Sequence, residues 1–239
     1  MPIALSYSRL SQYKECPKRF HLNYILKAFP VEQDNPYFIR GNAVHKQLEM
    51  YALDLYVKSQ GMESAVKVPK LSDAAKSARG IIKSLINTHD AVEVEQQLCV
   101  NKSWDPVSWF SKPTIAYYRV IVDLLAISNA SRSAVVIDWK TGKVREYDDS
   151  DTGQLHLTAA TMFELLPEVD TIKTVYMFVD HKQSIPRTFK REDLEVLKAP
   201  FIHAYNEVNE DEDFNPTPNP HCTYCPATKK QCPYARNMI

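Results

Sequence analysis

Two carboxylates, a lysine and a histidine carry the chemistry that this chain can offer. Val135-Val-Ile-Asp138-Trp-Lys140-Thr-Gly-Lys143 is an apolar run that ends in an acid, with a lysine two positions later. On a strand, residues i and i+2 share a face, so Asp138 and Lys140 project together. Asp123 sits inside a second apolar run, Val120-Ile-Val-Asp123-Leu-Leu. A carboxylate among hydrophobic strand residues is costly unless a cation or another partner neutralises it. If the two strands are neighbours, both acids can share a hard divalent ion, Mg²⁺ or Mn²⁺. Such an ion polarises a phosphodiester and lowers the pKa of an attacking water. Lys140 would orient that water or stabilise the developing charge. The competing interpretation is that Asp123 and Asp138 only form structural ion pairs with Lys140. His45 lies in Gly41-Asn-Ala-Val-His45-Lys-Gln-Leu-Glu49, with Glu49 one helical turn later. It matters because the two acids already demand a cation. Thr141-Gly142-Lys143 is not a phosphate loop, since it lacks the upstream Gly and the following Ser or Thr.

The cysteines form a second constellation. Cys222-Thr-Tyr-Cys225 and Cys232 lie in a Pro-rich tail, and Cys16 lies at the other end of the chain. Four thiolates suit zinc or an iron–sulfur cluster. Cys16, Cys225 and Cys232 each precede a proline, and only one local Cys pair is present. Both features favour iron–sulfur over zinc. A group joining Cys16 to the tail would clasp the termini and close a very long loop. Cys99, in a predicted strand, is simplest as a buried apolar residue.

The elements that must position these groups follow from periodicity. A helix is expected from Ser8 to Leu26, capped by Ser6 or Ser8 and broken just before Pro17. Further helices are expected over Ile39–Lys58 and Asp73–Thr88, the latter capped by Ser72. Val92–Val100, Tyr117–Ile127 and Ala134–Trp139 read as three consecutive strands joined by short turns. A helix over Asp151–Leu166 follows, then strands over Thr174–Val179 and Ser184–Phe189 and a helix over Glu192–Val208. The order predicts an α/β chain. It divides into a helical part over 1–90, a core over 91–209 and a Cys-rich tail over 210–239, all within one domain.

Composition narrows the function classes. With 29 Lys+Arg against 29 Asp+Glu, no basic coat surrounds the molecule, so nucleic-acid binding requires a local patch. No stretch approaches the ~20 apolar residues of a membrane span, and the first residues lack a signal-peptide pattern. A cytoplasmic location without membrane attachment is therefore expected.

Together these motifs resemble the PD-(D/E)XK nuclease superfamily, in its RecB-like, iron–sulfur branch that includes CRISPR-associated exonucleases. Leu5-Ser-Tyr-Ser-Arg-Leu-Ser-Gln-Tyr-Lys-Glu-Cys16-Pro-Lys-Arg-Phe20 is similar to that branch's N-terminal helix and first cluster cysteine. Gly41-xxx-His45 is similar to its GxxxH motif, Asp123 to its first core acid and Ile137-Asp138-Trp-Lys140-Thr-Gly to its DxKTG-like signature. The resemblance implies a restriction-endonuclease-like core, a central mixed β-sheet flanked by helices. It implies His45, Asp123, Asp138 and the Trp139 carbonyl as ligands to Mn²⁺ or Mg²⁺, with Lys140 catalytic beside Asp123 and Asp138. It implies a 4Fe-4S cluster on Cys16, Cys222, Cys225 and Cys232. Gln154 resembles the Gln of the family's QxxxY motif, although Thr158 holds the Tyr position. Val120 holds the position of a usual Gly.

For DNA contacts, Arg9 lies on a helix where basic and aromatic residues interleave, a pattern that serves strand binding or simple amphipathic packing equally. Arg40, Lys143 and Arg145 flank the site as phosphate contacts, with Gln154. The function expected is a metal-dependent DNA exonuclease acting on linear or single-stranded DNA. The alternative is a catalytically idle nucleic-acid-binding or adaptor module. No ATP-binding motif is visible, so unwinding would need a helicase, recombination or CRISPR partner.

Overall fold

The computed structural model describes residues 3–29, 35–144 and 152–236. Helix α1 (Tyr7–Glu15) begins at Ser6, whose hydroxyl accepts the Arg9 N–H. Cys16 then turns extended, and α2 (Pro17–Phe20) starts on the proline. This is the expected break. Proline lacks an N–H and suits the first turn of a helix, where none is needed. A π-helical turn, His21–Ile25, follows. Helix α3 (Pro36–Ser59) starts earlier than the expected Ile39, because Asn35 caps the Tyr37 N–H and Pro36 takes the first position.

The helix expected over Asp73–Thr88 is two helices, α4 (Asp73–Ser77) and α5 (Arg79–Thr88). Ser72 caps the first as expected, accepting the Ala75 N–H. At the break, the Ser77 hydroxyl lies 2.7 Å from both the Ala74 and Val179 carbonyls, so a side chain takes up a backbone acceptor where the helix stops.

Five strands form one mixed sheet in the order β1 (Ala91–Val100), β2 (Tyr118–Ser128), β3 (Ser133–Lys140), β4 (Thr171–Phe178) and β5 (Gln183–Lys190). β1, β2 and β3 pair antiparallel as expected of a meander, but only β2 and β3 are joined by a short turn; residues 101–117 form a long connection between β1 and β2. β3 and β4 are parallel, and helix α6 (Gly153–Leu165) makes the crossover that parallel strands require. β5 closes the sheet antiparallel to β4 and is an edge strand, mostly exposed, which accounts for its faint hydrophobic pattern. A short turn leads into α7 (Leu194–Glu210). One side of the sheet packs with α1, α6 and α7 through Leu10, Tyr118, Phe163 and Phe201. The other packs with α3 and α5 through Leu48, Ile82, Leu124 and Ile137. The fold is the expected α/β architecture, a mixed sheet flanked by helices.

One irregularity creates the site. Ala91–Val94 pairs with Leu124–Ile127, and Gln96–Val100 pairs with Tyr118–Val122. Glu95 and Asp123 are left opposite each other, between the two paired stretches. Glu95 adopts φ 50°, a strained value for a residue with a side chain. Across this point the strands exchange faces. Val120 and Val122 join the α1/α6/α7 core, whereas Leu124 and Ala126 join the α3/α5 core. An unbroken strand would keep all four even-numbered residues on one face. The interruption lets two acids leave the sheet together.

Candidate active site

Asp123 is the anchor of the pocket. It is nearly buried, and its Oδ2 accepts the Trp139 backbone N–H at 2.7 Å. Its Oδ1 lies 3.2 Å from His45 Nδ1, which α3 carries over the sheet. Ligand atoms of His45, Glu95 and Asp123 lie within 4.8 Å of one another. Gly41 allows the approach of α3 to the end of β3, since a Cβ there would stand 3.2 Å from Thr141 Oγ1.

Asp138 and Lys140 project into the same pocket from β3, which also contains Glu49 and Gln154. Lys140 Nζ lies 2.9 Å from Asp138 Oδ1 and donates to Gln154 Oε1 at 3.0 Å. The Gln154 amide donates in turn to Asp138 Oδ2, and Lys140 rests over the Tyr176 ring at 4.6 Å. Asp138 is thus tied to Lys140 and Gln154, while the tightest donor group around Asp123 is completed by Glu95. Trp139 has its side chain buried and its backbone at the pocket wall.

The electrostatics describe a site whose crowded acids a cation would relieve. Burial raises the Glu95 carboxyl above its ordinary range, and the charges of Asp123 and Glu49 raise it further. Burial also raises Asp138; Lys140 pulls against this and Asp123 adds to it. Burial disfavours a charged His45, but the hydrogen bond and charge of Asp123, with Asp138 and Glu95, outweigh it and raise the imidazole. Acids held near one another in a partly dry pocket favour protonation, unless a positive ion takes the proton's place. Carboxylate oxygens and an imidazole suit Mg²⁺ or Mn²⁺.

Glu95 is absent from the sequence-based expectation. Its signal is faint. The run Glu95-Gln-Gln97 breaks the alternation of β1, but nothing local shows that it opposes Asp123. Gln154, the Gln of the QxxxY-like motif, contacts Lys140 and Asp138 directly.

The basic residues separate. Arg9 lines a groove beside the pocket. Arg40 is exposed, and both its terminal nitrogens meet the Asp180 carboxylate, which also accepts the Gly142 N–H at 3.0 Å. Lys143 is exposed. Arg145 lies outside the described residues, as does Asp151, the first residue of the expected Asp151–Leu166 helix.

The four distant cysteines come together. Cys16, Cys222, Cys225 and Cys232 line one cavity between the start of α2 and the tail. All are free thiols. Burial raises the Cys225 thiol, and Cys16 and Cys232 add to that shift. Among the described residues, no three of these sulfurs lie within 4.8 Å of one another. Cys99 is buried away from them, against Ala4 and Ala116.

Among the described residues, no helix is long and apolar enough to cross a membrane. No curated protein matches the chain. Two solved structures are similar to it. SSO0001 shares 16% identity, covers 93% of this chain and 82% of its own, and superposes with a TM-score of 0.47. A candidate exonuclease from Eubacterium rectale shares 9% identity, with 86% of this chain and 80% of that chain covered and a TM-score of 0.48. The family model of the PD-(D/E)XK nuclease superfamily matches residues 4–233. With that match running from Ala4 to just past Cys232, the chain belongs to the PD-(D/E)XK nuclease superfamily.

Proposed function

We propose that this protein is a divalent-metal-dependent DNA exonuclease acting on linear or single-stranded DNA and stabilised by a 4Fe-4S cluster. The observation that carries the catalytic reading is the single open pocket in which His45, Glu95 and Asp123 converge beside the Asp138–Lys140–Gln154 network. His45, Glu95 and Asp123 would hold Mg²⁺ or Mn²⁺, with Asp138 and the Trp139 carbonyl as further ligands. When bound, the ion supplies Lewis-acid polarisation of the phosphodiester and favours ionisation of water. The chain's own residues do the rest. Lys140 places an ammonium where negative charge develops on the phosphoryl oxygens. Gln154 and Tyr176 limit where that ammonium can sit, since both contact it. Trp139 fixes the orientation of Asp123 through its backbone N–H.

The donor chemistry of the Cys cavity fits a soft metal group. The Pro that follows Cys16, Cys225 and Cys232, and the single local Cys pair, favour an iron–sulfur cluster over zinc, held by Cys16, Cys222, Cys225 and Cys232. Its role is to tie α2 to the tail. Opening of duplex DNA would fall to a partner, a helicase or a CRISPR-associated assembly.

The test compares end-labelled linear DNA with closed circular DNA, using anaerobically purified protein and Mn²⁺ or Mg²⁺. Wild-type protein should degrade only the linear form. Lys140→Ala should lose roughly 10²–10³ in rate, the scale of one charge-stabilising donor, while still binding DNA. Equal inactivity of both proteins with the cluster intact would favour an idle binding module.

A further inference from the structure

A second groove joins the metal pocket. Trp109 from the β1–β2 connection, Arg9 of α1 and Arg119 of β2 line it. Ile121 and Gln154 line both the groove and the metal pocket, so the two are continuous.

The groove pairs positive charge with apolar surface. Arg9 Nη1 donates to the Ala4 carbonyl at 2.6 Å and its guanidinium lies 5.0 Å from the Tyr24 ring. Arg119 Nη2 donates to the Ser111 carbonyl at 2.7 Å and its guanidinium lies 5.5 Å from the Trp109 ring. Each is fixed by a carbonyl and an aromatic face rather than by a carboxylate. Burial lowers the Arg9 pKa, and the Arg119 charge lowers it further, so the two cations stand close enough to repel. The groove's acid, Glu15, pairs with Arg19. In a chain of zero net charge, this is a local positive surplus with rigid donors.

Ile121 adds the apolar part. It is 48% exposed, although Val120 and Val122 beside it are buried. It lies between Arg119 and Asp123 on β2. At a rise of ~3.3 Å per residue, Arg119 and Asp123 are about 13 Å apart along the strand. That spans at most about four nucleotides at the duplex rise of ~3.4 Å, and fewer for an extended strand.

We propose that this groove is a binding track for single-stranded DNA, in which Trp109 stacks on an unpaired base, Arg9 and Arg119 hold phosphates, and Ile121 supports the strand as it enters the metal pocket. The inference rests on the nuclease reading of that pocket and names the form of its substrate. Bases within a duplex are already stacked on one another, so an indole in a groove wall engages a free strand far better.

The test is fluorescence anisotropy without metal, so that nothing is cleaved, using a short end-labelled DNA strand, its duplex and the matching RNA. Wild-type protein should bind the DNA strand most tightly. Trp109→Ala should weaken that binding roughly 5- to 150-fold, the loss of one base–aromatic stack, and Trp109→Phe should retain most of it. Arg119→Gln should flatten the salt dependence by about 0.7 in log–log slope, one single-strand phosphate contact. Indole fluorescence covers the case in which Trp109→Ala fails to fold, since Trp109→Phe should lose most of the strand-induced quench. Preference for duplex or RNA overturns the inference, as does a Trp109→Ala protein that unfolds like wild type and binds strands equally well. An unchanged quench in Trp109→Phe also overturns it. Strand binding through Trp109 without any cleavage would sink the catalytic reading and leave the track standing. Cleavage with strand affinity indifferent to Trp109 would do the reverse.

Discussion

Replacing Glu95 by Gln separates a metal site from a structural cluster, because the two readings predict opposite signs. Glu95 and Asp123 present ligand atoms within 4.8 Å of one another. Two negative charges at that distance repel by about 0.9 kcal/mol at the dielectric of water and about 3.5 kcal/mol at an effective dielectric of ~20. Without metal, Glu95→Gln removes this repulsion, and the protein should become more stable by an amount within that range. For a chain of this size each kcal/mol moves the unfolding midpoint by roughly 2–4 °C, so a rise of several degrees is expected. The gain has a defined pH window. The Glu95 carboxyl is raised above its ordinary value of 4.5, so its penalty is complete above the raised value and absent below the ordinary one. The advantage of the variant should therefore be present at neutral pH and vanish as pH falls through about 4.5. With metal this advantage shrinks or reverses, because the ion stabilises wild type more than the variant. At a concentration of about 100 times Kd, the ion should stabilise wild type by about 2.7 kcal/mol. Loss of a direct ligand should weaken binding at least as much as the ten- to hundredfold typical of outer partners. A hundredfold loss leaves only about 0.4 kcal/mol at the same concentration. Differential scanning fluorimetry with and without Mn²⁺, paired with calorimetric Mn²⁺ titration, measures both terms. A Glu95→Gln protein that is less stable without metal, yet keeps the full Mn²⁺-induced shift, would refute the argument.

Three further outcomes follow from the geometry. The raised pKa of His45 makes its pairing with Asp123 stabilising below its ordinary value of 6.5, and this contribution is lost as pH rises through the raised value. Metal-free unfolding midpoints should fall across that window, and His45→Gln should flatten the fall. A Cβ on Gly153 would sit 2.5 Å from the Tyr7 ring, so Gly153→Ala should cost about 1–3 kcal/mol in urea unfolding. In a Tyr7→Ala background most of that cost should disappear, a non-additivity that a double-mutant cycle reads directly. Cys232→Ser should lose broad visible absorbance near ~400 nm and lower the unfolding midpoint before it changes cleavage by the remaining folded protein. A stable, colourless Cys232→Ser protein would remove the structural role of the cluster.

Much of this architecture is written locally. Pro17 breaks the first helix because its ring removes a donor, wherever the rest of the chain goes. Asp138 and Lys140 share a face because strand residues alternate, and there they lie 2.9 Å apart. The β2–β3 hairpin follows from a short turn between hydrophobic runs, whereas β1 reaches β2 through the long connection 101–117. Other features arise only from long-range packing. Ala78 divides two helices because Ser77 bonds a carbonyl of Val179, far away in sequence. Arg40 pairs with Asp180 only because the turn after β4 comes beside α3. Glu95 is one acid among many along the chain until β1 and β2 lose their pairing opposite Asp123 and α3 brings His45 above them. Helix caps, breaks and alternation depend on neighbours within a few residues, so they are legible in the chain itself. The charge balance of a site depends on which distant groups converge, and that is settled only when strands pair and helices pack.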